Sequence, residues 1–276
     1  MKEITGKKLI HNNIAKNISG FNLKKVSGIT SAYEVIRIIN KIPLFFKDHY
    51  ERLLQSLELL NIKVKISENE LIDSINFLIQ ENKISNGNIK ILVNYFETEK
   101  NIYYYFIKHF YPLKCYYKNG VNTIIYNAER INPNAKSILF NLRQSVDKEK
   151  LLKKVYEVIL VDNNNYITEG SRSNIFFIKD DVIYTPPLHQ VLGGITRKHV
   201  FNVCLKNNIK LIETKIKKNK LNNYSSAFLS GTSPKILPIK KIDEIKYNPN
   251  CDLLIKIIKE YDNVIINYLN NISSNY

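Results

Sequence analysis

Cysteine, long apolar runs and acidic residues are all in short supply in this chain. Cys115, Cys204 and Cys251 stand far apart, form no CxxC pair and make no metal pattern with the five histidines. That argues against a disulfide framework or a zinc module and points to a reducing compartment, the cytoplasm. No stretch reaches the about 18 apolar residues that span a bilayer, so no membrane partner is expected. The opening Met1-Lys2-Glu3-Ile4-Thr5-Gly6-Lys7-Lys8 has no apolar segment behind its charges, so no secretory signal is expected either. Without a secretory route, the sequons Asn17-Ile18-Ser19 and Asn271-Ile272-Ser273 carry little meaning. Asp and Glu number 25 against 41 Lys and Arg, a formal net charge of +16.

Such a charge fits either a nucleic-acid partner or a chain biased towards Lys, Asn, Ile and Tyr. Lys24-Lys25, Lys153-Lys154, Lys215 to Lys220 and Lys240-Lys241 lie in separate segments, and no RNA-binding aromatic motif or helix-turn-helix pattern accompanies them. Compositional bias is the better reading, and no nucleic-acid partner is expected. The positive field still favours anionic cofactors and substrates.

The 276 residues suit two cores. Residues 32–39 alternate as a strand, Ile42 to Phe46 reads as its hairpin partner, and Asp48 is placed to cap a helix with Leu53, Leu57 and Leu60 on one face. Ser67 and Glu70 form a capping box for a second helix to about Asn82. Strands follow at 89–95 and 102–108, with Glu97 to Asn101 as the turn. After Pro112 come a strand at 121–126, a polar linker at 127–135 and a helix from beyond Lys136 to about Lys154. Short strands are predicted at 156–162, 166–169, 174–179, 182–185, 210–215 and 226–229, with helices at 196–207 and 252–269. The pattern is α+β, with a small N-terminal domain over 1–115, a connection over 116–126 and a large domain over 127–276.

Three features carry chemistry. Gly193-Gly194-Ile195-Thr196-Arg197 opens a helix, where unpaired N–H groups and the dipole favour an anion. Glu169 stands on a β-meander and reads alone as an exposed hairpin acid or as a functional carboxylate. Lys136 reads alone as a solvated lysine or as a nucleophilic amine.

Glu34-Val35-Ile36-Arg37, His49-Tyr50-Glu51-Arg52-Leu53, Tyr156-Glu157-Val158-Ile159-Leu160, Thr168-Glu169-Gly170-Ser171-Arg172-Ser173-Asn174, Tyr184-Thr185-Pro186 and Gly194-Ile195-Thr196-Arg197 occur in one order. That series resembles the class IV pyridoxal phosphate (PLP) aminotransferases, a group that holds branched-chain and D-amino-acid aminotransferases and aminodeoxychorismate lyase. The resemblance covers about residues 28 to 240. It implies a small α/β sandwich plus a larger mixed, β-barrel-like domain, with the cofactor between them, and a homodimer.

The resemblance also implies roles. Lys136 becomes the Schiff-base lysine, at the family's spacing before Glu169, which would hold the pyridine nitrogen protonated. Arg52, Ile195, Thr196 and Thr232 would hold the phosphate. Ser233, Tyr33, Arg37 and His109 would meet the substrate, and His49 would orient Arg52. Thr168, Ser171 and Ser173 would satisfy loop backbone. Two departures stand out: Ser31-Ala32 where many relatives have Gly-Asp, and Asn141 where branched-chain enzymes have tyrosine. The bond to the cofactor's 3′ oxygen falls to Asn141, Arg143 or another group. The expected reaction moves an amino group between an amino acid and a 2-oxo acid, of branched-chain or D-amino-acid type. Pyruvate elimination from aminodeoxychorismate is the first alternative, and a basic nucleic-acid binder on an inactive scaffold is the remote one.

Overall fold

The structure, a computed structural model, describes residues 4–20, 30–96, 99–130, 132–137 and 140–274. The side chains of residues 20, 96, 140 and 141 lie outside that description, which includes Asn141, and so do Glu97 and Thr98 of the expected turn. The chain forms two compact units, one of Met1–Phe110, Ala135–Phe140 and Asn267–Tyr276, the other of Tyr111–Asn134 and Asn141–Ile266. This differs from a division at 1–115, 116–126 and 127–276, because 135–140 and 267–276 return to the first unit. Hydrogen bonds explain both returns: Tyr33 N–H donates to Lys136 O at 3.0 Å, and Tyr268 OH donates to Pro43 O at 3.2 Å.

In the first unit, the described residues form a six-stranded sheet and two helices. In chain order they are β1 (Ile4–His11), β2 (Ile14–Asn17), β3 (Ser31–Ile39), β4 (Ile42–Pro43), α1 (Phe46–Leu59), α2 (Glu68–Asn82), β5 (Gly87–Phe96) and β6 (Glu99–Ile107), with sheet order β2-β1-β6-β5-β3-β4. Strand alternation sorts the sheet into two faces. Ala32, Ile36, Ile38, Ile89, Ile91 and Phe106 meet the helices. Tyr33, Leu92, Tyr103 and Tyr105 gather on the other face with Leu9.

Helix α1 buries His49, Arg52, Leu53, Ser56 and Leu57, a stripe at i, i+3, i+4, i+7 and i+8. Its start corrects the expected cap. Phe45 is the N-cap, in the left-handed region at φ 52°, and no side chain caps the helix there; Asp48 lies in the first turn. The orphan Phe46 N–H instead donates to Tyr268 OH at 3.1 Å, and the Phe45 and Tyr268 rings meet edge to face. Helix α2 has its expected box half: Glu70 N–H donates to Ser67 Oγ at 3.1 Å. Its last residue, Asn82, accepts the N–H groups of Lys7 and Lys8 and so anchors β1, where Gly6 takes φ 91° against the Asn82 side chain.

The second unit contains α3 (Lys114–Asn119), β7 (Val121–Asn127), α4 (Phe140–Lys153, whose first residue is counted with the first unit), β8 (Glu157–Val161), β9 (Tyr166–Gly170), β10 (Asn174–Lys179), β11 (Val182–Thr185), α5 (Ile195–Lys206), β12 (Leu211–Glu213), β13 (Ile216–Lys217), β14 (Ser226–Gly231), β15 (Lys235–Ile242), β16 (Ile245–Lys246) and α6 (Asp252–Ser273, ending in the first unit). Among the described residues a ten-stranded sheet runs β12-β11-β10-β14-β15-β7-β8-β9-β13, with β16 on β15. It is mixed: β11–β12, β15–β7 and β7–β8 are parallel, and the other pairs are antiparallel. Its core gathers Ile159, Ile175, Phe177, Leu229, Leu237 and Ile239. No helix among the described residues is long and apolar enough to cross a membrane.

The cap at α1 yields a test. Tyr268→Phe leaves the Phe46 N–H without its acceptor and should cost about 1–3 kcal/mol. Asp48→Asn removes only a favourable charge near the helix start and should cost at most about 1 kcal/mol. Urea unfolding of both variants checks the order; equal losses would return the cap to Asp48.

Candidate active site

The backbone of Lys136 is held inside the first unit from two sides. Its N–H donates to Ser56 Oγ at 3.2 Å and its C=O accepts from Tyr33 N–H at 3.0 Å. Ala32 and Ser137 form an isolated antiparallel bridge beside it. Lys136 Nζ lies 4.8 Å from the Tyr33 ring centroid, a cation–π distance. Lys136 is thus half-buried in a built position.

Behind it lies a charged cluster of Glu34, Arg52 and His49. Glu34 is 0% exposed. Arg52 forks onto it, Nε to Oε1 at 2.8 Å and Nη2 to Oε2 at 2.7 Å, and His49 Nδ1 sits 2.8 Å from Oε2. Burial alone would raise the carboxyl's pKa, but the Arg52 charge, its hydrogen bonds and the His49 contact outweigh that and hold Glu34 far below the usual carboxylate range. Burial lowers the pKa of His49 against the opposing bond to Glu34, with the Arg52 and Lys136 charges pushing the same way as burial. His49 is neutral at pH 7, which suits orienting work.

Tyr33 and Arg37 share the face of β3 away from the helices. Opposite Val35, between them, stands Lys90, buried, with Nζ 5.4 Å from the Tyr33 ring and 6.0 Å from the Tyr105 ring. The sequence reading passed over Lys90; a lysine between Ile89 and Ile91 in a buried strand was the available signal. His109 lies past the end of β6 and is exposed.

In the second unit Glu169 is buried, 2% exposed, near the end of β9. Arg130 Nη1 donates to its Oε1 at 2.8 Å, and Leu192 N–H and Asn174 Nδ2 donate to its Oε2 at 3.1 and 3.4 Å. Asn174 also donates to Leu192 O at 2.8 Å. The carboxylate is therefore tied to the residues that lead into α5. That helix starts at Ile195 with Gly194 as an N-cap that offers no side chain, so the first-turn N–H groups meet no side-chain acceptor there. A Cβ at Gly194 would collide with Asn174 Oδ1, so glycine is what the close approach requires. Thr196 is buried, its hydroxyl 3.4 Å from Tyr261 OH. Thr232 and Ser233 occupy the turn between β14 and β15. Beside it, Ser230 pairs with Asn174 across the sheet and its buried hydroxyl has no partner among the described residues.

The serines of the Thr168–Asn174 segment differ from expectation. Ser171 and Ser173 donate to the side chain of buried Glu157, at 2.6 and 3.4 Å, rather than to loop backbone. Glu157 also accepts from Val158 N–H and Arg172 N–H. Among the described residues no group of His, Cys, Asp and Glu is arranged for a metal ion. A buried carboxylate fixed by donors, an uncapped helix start beside it and an orphaned hydroxyl nearby fit a pyridine nitrogen and a phosphate.

Glu34→Gln would leave Arg52 buried without its counter-charge, at about 3–5 kcal/mol. The folded-state pKa of Glu34 lies below the unfolded value of about 4.3, so its stabilisation is present above that pH and fades as pH falls through the folded value. The wild-type advantage in urea unfolding should be full at pH 7 and smaller at pH 3; a gap that is constant with pH would refute the charged pair.

The sequence model described as "Amino-transferase class IV" matches residues 31–242. A Rickettsia typhi protein named "Probable branched-chain-amino-acid aminotransferase" is 27% identical over 253 residues, 85% of this chain and 87% of that protein. The D-alanine aminotransferase of Staphylococcus epidermidis is 30% identical over 224 residues, 76% of this chain and 79% of that protein. The branched-chain aminotransferase of Thermoproteus uzoniensis, solved with norvaline, shares the fold at a TM-score of 0.84, with 22% identity and 96% of each chain covered. The chain belongs to the class IV aminotransferases, enzymes that work with pyridoxal phosphate.

Proposed function

We propose that this aminotransferase moves an amino group between an amino acid and a 2-oxo acid of branched-chain or D-amino-acid type, with Lys136 as the lysine that carries the cofactor. The observation that supports this most is the carboxylate of Glu169, buried and bonded by Leu192 N–H just ahead of the start of α5. Glu169 would hold the pyridine nitrogen protonated. Arg52, the backbone at Ile195, and the hydroxyls of Thr196 and Thr232 would hold the phosphate. Bound PLP supplies an electron sink for the substrate's Cα.

The chain's own groups do the rest. The amine of Lys136 would take up and hold the substrate's Cα proton, general base work worth on the order of 10²–10⁴-fold. The Tyr33 ring centroid lies 4.8 Å from its Nζ. Tyr33 and Arg37, with buried Lys90 beside them, and the N–H of Ser233 receive the substrate's carboxylate. His109 is the weakest member of this set, being exposed. Two copies of the chain form the working enzyme, in the cytoplasm, where Cys115, Cys204 and Cys251 remain free thiols.

Borohydride reduction of the yellow holoenzyme should fix the cofactor on the Lys136 peptide, as mass spectrometry would show. Lys136→Ala should keep the fold and lose turnover by at least about 10²-fold; full activity in that variant would end the assignment. A half-reaction screen of L-branched-chain, D-amino and aromatic donors then reads the substrate. Pyruvate released from aminodeoxychorismate with no 2-oxo acid acceptor would move the reaction to the lyase type.

A further inference from the structure

We propose that Ser56 is a positioning residue for Lys136, fixing its backbone so that only the side chain moves; this rests on the reading of Lys136 as the cofactor-bearing lysine. Ser56 lies in the last turn of α1 and is 0% exposed. Its Oγ donates to Arg52 O at 2.8 Å, one helical turn back. A hydroxyl has one proton, so with that proton committed the oxygen is left as an acceptor. The Lys136 N–H donates to it at 3.2 Å.

A serine bonding back to its own helix slightly destabilises the helix. Here it gives α1 an acceptor pointed away from the helix, in the stripe that also carries His49 and Arg52. With the Lys136 C=O held by Tyr33 N–H at 3.0 Å, both polar backbone groups of residue 136 are fixed to different elements, α1 and β3. Neighbouring Ala135 is fully buried, and Ser137 bridges Ala32. A lysine that must leave one carbon and reach another needs a stationary Cα and a mobile amine. Ser56 supplies half of the first condition and leaves the second untouched. Its hydroxyl also joins the backbone of Arg52, the proposed phosphate holder, to that of Lys136.

The test uses the full chain with Ser56→Ala and Ser56→Thr, the latter retaining a hydroxyl that can bond the same carbonyl. Hydrogen exchange of the cofactor-free protein should show the Lys136 amide exchanging faster by about tenfold or more in Ser56→Ala. Residue displacements of this kind can reach about a hundredfold in rate, so kcat should fall by about tenfold to a hundredfold with KM nearly unchanged. The pH at which the visible band of the holoenzyme titrates should move. Ser56→Thr should restore all three. Wild-type exchange and kcat in Ser56→Ala would overturn the role of Ser56, as would a folded Ser56→Thr as impaired as the alanine variant. Borohydride labelling of a lysine other than Lys136 in the wild type would instead overturn the reading of Lys136 itself.

Discussion

A carboxylate sealed from water must be answered by a cation, and the answer to Glu34 organises the first unit. Glu34 projects from β3 towards the helices, into a layer that is mostly apolar. Arg52 and His49 reach it from α1, one turn apart. The three groups fix the rotation of α1 about its axis, because no other face of the helix carries that pair. Once that rotation is set, Ser56 comes to lie where it accepts from Lys136, and Arg52 is held in one orientation by two bonds to the same acid. Hydrophobic burial brings the helix to the sheet, while the ion cluster decides how it lies there.

The second unit solves the same problem twice in different ways. Glu157 is balanced by hydroxyls and amides from its own hairpin, with Lys150 at 3.6 Å. Glu169 is held by Arg130 on one oxygen and by Leu192 and Asn174 on the other. Glu157 thereby shapes the turn that follows β9, and that turn sets where Glu169 stands. The two acids lie on adjacent strands, β8 and β9, which pair antiparallel. Asn174 carries the position of Glu169 onward to the residues before α5, where the glycine at 194 lets it pack closely.

Much of this was legible where local pattern and tertiary environment agree. Strands 174–179 and 182–185, the Ser67 cap and the stripe of α1 follow from alternation, capping chemistry and helical spacing. Pattern failed where a distant group supplies what the local residues lack. Strand β1 contains Gly6, Lys7 and Lys8, poor strand formers, and is kept in line by Asn82 from α2. Strand β15 contains Pro238, which reads as a break, yet Pro238 pairs with Phe228 in register. The start of α1 offered Asp48 as a cap, whereas the acceptor is a tyrosine near the other end of the chain. The motifs named the candidate residues. They did not name Glu34 as the partner of Arg52, or Arg130, Asn174 and Ser56, whose parts depend on neighbours that no window of sequence contains.

The tie between Phe46 and Tyr268 joins positions 222 residues apart. A ribosome making this chain releases the sheet and both helices of the first unit long before it releases the residue that closes the start of α1. Until Tyr268 is made, the Phe46 N–H at the entry of α1 lacks the acceptor that the folded chain gives it.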